Sequence, residues 1–142
     1  MPPEETIVAI ERVRNGLQAM SAGSVTLTTW ALAILGGSLL AVIGSDYLKP
    51  TGRAKTLYLL FIPGWILLGL SLYYGDQLSS SYMAAIFTSD QKRLLTIGTN
   101  MNSELWKQKT FLWLSLSVFG IWLVAFLLSW IFSDREPSKN AP

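Results

Sequence analysis

The groups with which this chain could do acid–base chemistry are nine carboxylates, and no two of them are placed to act together. Asp76, Asp90 and Glu104 are the acids of the long segment between residues 76 and 109. Their separation matches neither a general acid–base pair nor a metal-ligand set, and solvated surface is the simpler reading. Asp46 and Asp76 fall just beyond the ends of apolar stretches, and no ionisable group lies well inside one. A proton relay or a buried carboxylate ion site within one chain is therefore not expected. Histidine and cysteine are absent, which removes the commonest general base, the commonest metal ligand, thiolate metal sites, disulfides and cysteine nucleophiles. Serine is plentiful, but none sits in a recognisable nucleophile turn, and nothing sets a Ser–Lys pair apart from chance. Gly36-Gly37 is read as helix packing, not as a phosphate loop. These residues predict no enzyme, no catalytic or metal-binding residue and no cofactor.

What must position the side chains is a set of three uncharged stretches, 15–45, 56–75 and 110–133. Each is long enough for a helix to cross a hydrocarbon core, which takes about 20 mostly apolar residues. Hydrophobic residues make up 51% of the chain and charged ones 14%, well below the quarter or so usual in soluble domains. Every charge lies outside the three stretches, a segregation that points to a membrane protein. A net charge of +2, with no basic stripe, argues against a nucleic-acid partner. The first apolar run is too long for a secretory signal, and its leader mixes glutamates with arginines, so it reads as an uncleaved span.

The expected fold is all-α, an integral membrane protein of one domain with three transmembrane helices. An amphipathic N-terminal helix covers 1–23, with Ile7, Ile10, Val13, Leu17 and Met20 on one face. Ser21 to Ser24 would break it from the first span, 25–47. Pro50 and Gly52 then turn the chain into a second, antiparallel span, 56–74, where Pro63-Gly64 invites a kink. Residues 76–109 read as an interfacial or extramembrane helical segment. Ser89-Asp90 would cap a helix there, Gly98 to Asn100 would interrupt it, and Asn102-Ser103 would start the next. The third span covers 110–133 and the polar tail 134–142. The general form resembles that of many small bacterial inner-membrane proteins.

Three aromatic pairs bracket the spans: Trp30 with Tyr47, Tyr58 with Tyr74, and Trp113 with Trp130. Their helical separations of about 24–26 Å suit interfacial belts, whereas Trp65 and Trp122 lie deeper and should pack against helices. Thr29, Ala33, Gly37, Ala41 and Ser45 put small residues on one face of the first span, a pattern that permits close helix approach, either inside the chain or between copies. A weaker small face runs through Ser117, Gly120, Ala125 and Ser129. Leu94, Ile97, Met101 and Leu105 are the candidate partner-docking face of the 76–109 segment. More lysines and arginines flank the 46–55 turn and the C-terminal tail than the other side, which puts the N-terminus outside and the C-terminus in the cytoplasm. Partners would be the lipid bilayer and either a second copy or other membrane subunits. The expected role is a non-enzymatic anchoring or assembly subunit of a complex in a bacterial inner membrane. The alternative is a homo-oligomeric channel, pore or membrane-disrupting effector.

Overall fold

The computed structural model describes residues 3–43 and 57–133. Within them the chain forms α1 (Pro3–Ile43), a 3-10 turn (Tyr58–Leu60), α2 (Phe61–Ile86) and α3 (Gln91–Ser133). All three helices are long and apolar enough to cross a membrane. The Pro50–Gly52 turn, Ser45, Tyr47 and the tail lie outside the described residues.

One seam repeat builds the bundle. On α3, Leu94, Met101, Gln108, Ser115 and Trp122 are all buried, each seven residues after the last. On α2 the buried positions Phe61, Gly64, Leu68, Ser71, Gly75, Leu78 and Ala85 alternate in steps of three and four, with half-buried Tyr82 completing the series. On α1 they are Leu17, Ser24 and Ala31. A repeat of 3.5 residues per turn is the pattern by which helices keep one face on their neighbours over many turns. Thr28 of α1 meets the Gly75 level of α2, and Ser38 meets Trp65, so α1 and α2 run antiparallel as expected. Two apolar clusters fill the interior. Leu17, Leu78, Ala85, Leu94 and Met101 form the one near the α2–α3 turn. Ala31, Leu68 and Leu112 form the other, nearer the opposite end.

The helices run through the boundaries expected from sequence. α1 is continuous across 21–24, so the N-terminal helix and the first span are a single rod. Its hydroxyls do not cap a new start: Thr26 donates back to the Ala22 carbonyl, and Ser24 turns inward. Likewise α3 shows no interruption at Gly98 to Asn100 and no fresh start at Asn102-Ser103. Thr96 and Thr99 donate to the carbonyls of Lys92 and Leu95, and Gly98 lets α3 approach the Leu17 side chain. The 76–109 segment is the continuation of α2 and α3 along the bundle axis, because its apolar positions keep the heptad phase of the rest of each helix. The cap at Asp90 is present. Its carboxylate accepts from the Lys92 amide at 3.0 Å, and its carbonyl accepts from Leu94. Pro63 falls in the first turn of α2. The donor it lacks would have bonded the Leu59 carbonyl, and the chain tightens there into the 3-10 turn rather than kinking in mid-helix.

Candidate functional site

Between the two apolar clusters lies a layer of polar side chains. Gln108 of α3 is fully buried. Its Oε1 accepts from the Ser24 hydroxyl at 2.7 Å, while its Nε2 donates to the Ser24 carbonyl and the Thr28 hydroxyl. Ser71 of α2 donates to the Gln108 carbonyl at 3.0 Å. Gly75 makes room: a Cβ there would lie 2.6 Å from Nε2 of Gln108 and 2.9 Å from Oγ1 of Thr28. One heptad along α2 and α3 the motif recurs, with Ser115 donating to the Gly64 carbonyl at 2.9 Å. A Cβ on Gly64 would lie 2.7 Å from the Phe119 ring. Each of these groups is matched by a partner, so the layer fixes helix register and offers no free acid, base or nucleophile. Beyond it Tyr58, Phe61, Phe119, Trp122 and Phe126 pack ring to ring. The Trp122 indole Nε1 is buried there without a hydrogen-bond acceptor among the described residues. Trp65 packs on Phe61 and donates to Ser38, so both deeper tryptophans do pack against helices.

An aromatic ring surrounds the bundle at the height of this layer. Trp30, Tyr73 and Trp113, one on each helix, are 53%, 55% and 57% exposed. Trp30 and Trp113 lie within about 8 Å of the layer on the side away from the α2–α3 turn, and Tyr73 lies between Ser71 and Gly75. Tyr74, the expected belt residue, instead stacks on Phe111 and carries Lys107 over its ring at 5.2 Å. Lys109 sits over Trp106 in the same way. Tyr58 is folded against Phe61 and Trp122 instead of standing free on the far side. Tyr47 and the Trp130 side chain lie outside the described residues.

The structure places the two sets of expected interface residues differently. Leu94, Ile97, Met101 and Leu105 were expected to dock a partner. Leu94 and Met101 are fully buried in the chain's own core, and Ile97 and Leu105 pack against it. The same helical spacing serves an internal neighbour, because α1 and α2 run alongside this part of α3. The stripe Thr29, Ala33 and Gly37 does not pack against α2 or α3. All three are exposed, and nothing lies within 4 Å of a Cβ built on Gly37. Ala41 is half-buried, and Ser45 is outside the described residues. The close approach of backbones occurs on α2, at Gly64 and Gly75. A signal was there: Gly64, Ser71 and Ala85 are small residues at heptad spacing, and Gly75 lies four residues after Ser71 on the same seam. No group of three or more metal-ligating side chains occurs among the described residues. Comparison with protein families, with curated proteins and with solved structures finds no match to this chain.

Proposed function

We propose that this chain is a non-enzymatic integral membrane protein that anchors or assembles a membrane complex. The observation that carries the reading is an inversion of polarity along one continuous bundle. Beyond the aromatic ring the outward side chains include Leu32, Leu40, Ile43, Leu59, Ile62, Ile66, Ile121, Leu123, Val124 and Leu128, while the Ser115 hydroxyl points inward. An apolar surface of this extent is unstable in water and suits lipid. Toward the α2–α3 turn the exterior gains charge, with Glu11, Arg12, Arg14, Asp76, Lys92, Arg93 and Lys107 beside exposed Ile7, Met83, Phe87 and Leu95, over an apolar core. α3 has 43 residues and is about 65 Å long, roughly twice the hydrocarbon thickness. The layer at Gln108 then lies near one membrane interface, and the polar half of the bundle stands in water as a stalk of about 25 Å.

In this reading the outward stripe of Thr29, Ala33 and Gly37 faces lipid or another transmembrane helix, and small residues favour the latter. The membrane is a bacterial inner membrane, with the stalk and N-terminus outside. Cysteines placed at Thr6 and Ser138 should label from opposite faces of intact membranes, and same-face labelling would overturn the three-span arrangement. Native mass in mild detergent, with and without candidate membrane subunits, tests the assembly role. A chain that stays monomeric in every mixture would count against it. The stripe also favours a second reading, a homo-oligomeric pore. Leu68 and Leu112 fill the space between the helices, so a conduction path would run between copies. Solute release from liposomes that scales with oligomer content would select the pore.

A further inference from the structure

A cleft opens between α1 and α2 in the polar half of the bundle. Its volume is about 290 Å³, at the small end for ligand pockets, and it is half open to the surroundings. Arg14, Asn15 and Gln18 of α1 form one wall, and Tyr82 of α2 forms the other. Leu17, Ala85 and Ile86 supply apolar surface beneath them. Leu17 lies against Gly98 of α3 and shares its apolar cluster with the short Ala85 of α2.

The polar heads around this cleft come from two helices and converge over one apolar floor. Around the cleft, none of Arg14, Asn15, Gln18 and Tyr82 has a hydrogen-bond or ion-pair partner among the described residues. No carboxylate lines it, so its one formal charge is the Arg14 guanidinium. A guanidinium presents a planar fork that matches a carboxylate or a phosphate, and amides and a phenol add neutral donors beside it. We propose that this cleft binds a small amphipathic oxyanion, with a carboxylate or phosphate head on Arg14, Asn15, Gln18 and Tyr82 and a short apolar group on Leu17, Ala85 and Ile86. The site needs only that this half of the bundle meets water, and it does not depend on the assembly role.

The test uses the full chain in a zwitterionic detergent, with ¹⁵N-arginine and ¹³C-tyrosine labels read by NMR. Butyrate and butyl phosphate are the probes, with butanol and butylammonium as controls. One or both anions should shift the Arg14 side-chain and Tyr82 ring signals saturably, and the two controls should not. Arg14→Gln should weaken binding about tenfold or more, and Arg14→Lys by less, because the fork is lost but the charge stays. Gln18→Glu puts a carboxylate into the cleft and should also expel the anion. Both positions are exposed, so these variants keep the fold. Repeating the titration in phosphatidylcholine and phosphatidylglycerol nanodiscs separates the sources. Loss of probe binding in phosphatidylglycerol alone identifies a lipid headgroup as the occupant, and equal binding in both identifies a free anion. Equal response to butanol would show a merely apolar groove and overturn the proposal. Unchanged affinity in Arg14→Gln or Gln18→Glu would overturn it as well.

Discussion

At Met101 the seam of α3 is apolar, and the outward positions beside it are Asn100, Asn102 and Ser103. At Ser115, two heptads further along the same helix, the seam carries a hydroxyl, and the outward positions beside it are Trp113 and Leu114. The backbone and the repeat are the same in both places. The inside and outside have exchanged character. In water, polar groups are solvated outside and apolar ones gain by burial. In lipid no such gain exists, while a hydroxyl gains by meeting a carbonyl within the protein. Gln108, Ser24 and Ser71 lie between these two levels, and the proposed membrane reading puts the change of solvent there.

Matched truncations in the two regions test this contrast most strongly. Leu94→Ala, in the polar half, should lose both the transfer of the side chain from water and the cavity term, about 2–5 kcal/mol. Hydrogen exchange across residues 91–105 should accelerate accordingly. Leu68→Ala removes the same atoms from an equally buried site in the apolar half. Its cost, read by thermal unfolding in nanodiscs, should be smaller, because lipid solvates the separated helices. Equal losses would mean that one solvent surrounds both halves.

Next in size is overpacking. Gly75→Leu places a side chain where Gln108 and Thr28 already stand, and should cost about 1–3 kcal/mol in thermal stability. Gly37→Leu, on the outward face, should leave the stability of the single chain unchanged and alter only its association, read by native mass. If Gly37→Leu destabilised the chain as much as Gly75→Leu, the outward placement of the stripe would be wrong.

The smallest effect concerns the inward hydroxyls. Ser71→Ala and Ser115→Ala each lose one interhelical bond, about 0.6 kcal/mol in a membrane bundle. Ser79→Ala, whose hydroxyl returns to the Gly75 carbonyl of its own helix, should cost less. Thermal unfolding of the three variants resolves the order. An equal cost for Ser79→Ala would show that the interhelical bonds carry no special weight.

Much of this was legible along the chain. The three apolar stretches, the antiparallel pairing of α1 and α2, and the Asp90 cap all follow from local composition and chemistry. The apolar face through Leu94 and Met101 was also visible, since periodicity reports that a face is covered. It cannot report by what, because an internal neighbour and an external partner demand the same spacing. The small stripe of Thr29, Ala33 and Gly37 left contact inside the chain or between copies open, and the structure removes only the first. Small residues permit close approach without requiring it, and the tight contacts formed at Gly64 and Gly75 instead. The helix interruptions failed for a related reason: Ser24, Gly98 and Thr99 break a helix in isolation but fit one whose neighbours reward continuity. The sequence alone determined that the chain is helical and where its apolar material lies, because those depend on each residue's own transfer energy and conformational preference. Tertiary structure alone decided which faces meet, that Gln108 is buried among Ser24, Thr28 and Ser71, and that a cleft remains between Arg14 and Tyr82. Those are properties of three helices in register, and no single helix carries them.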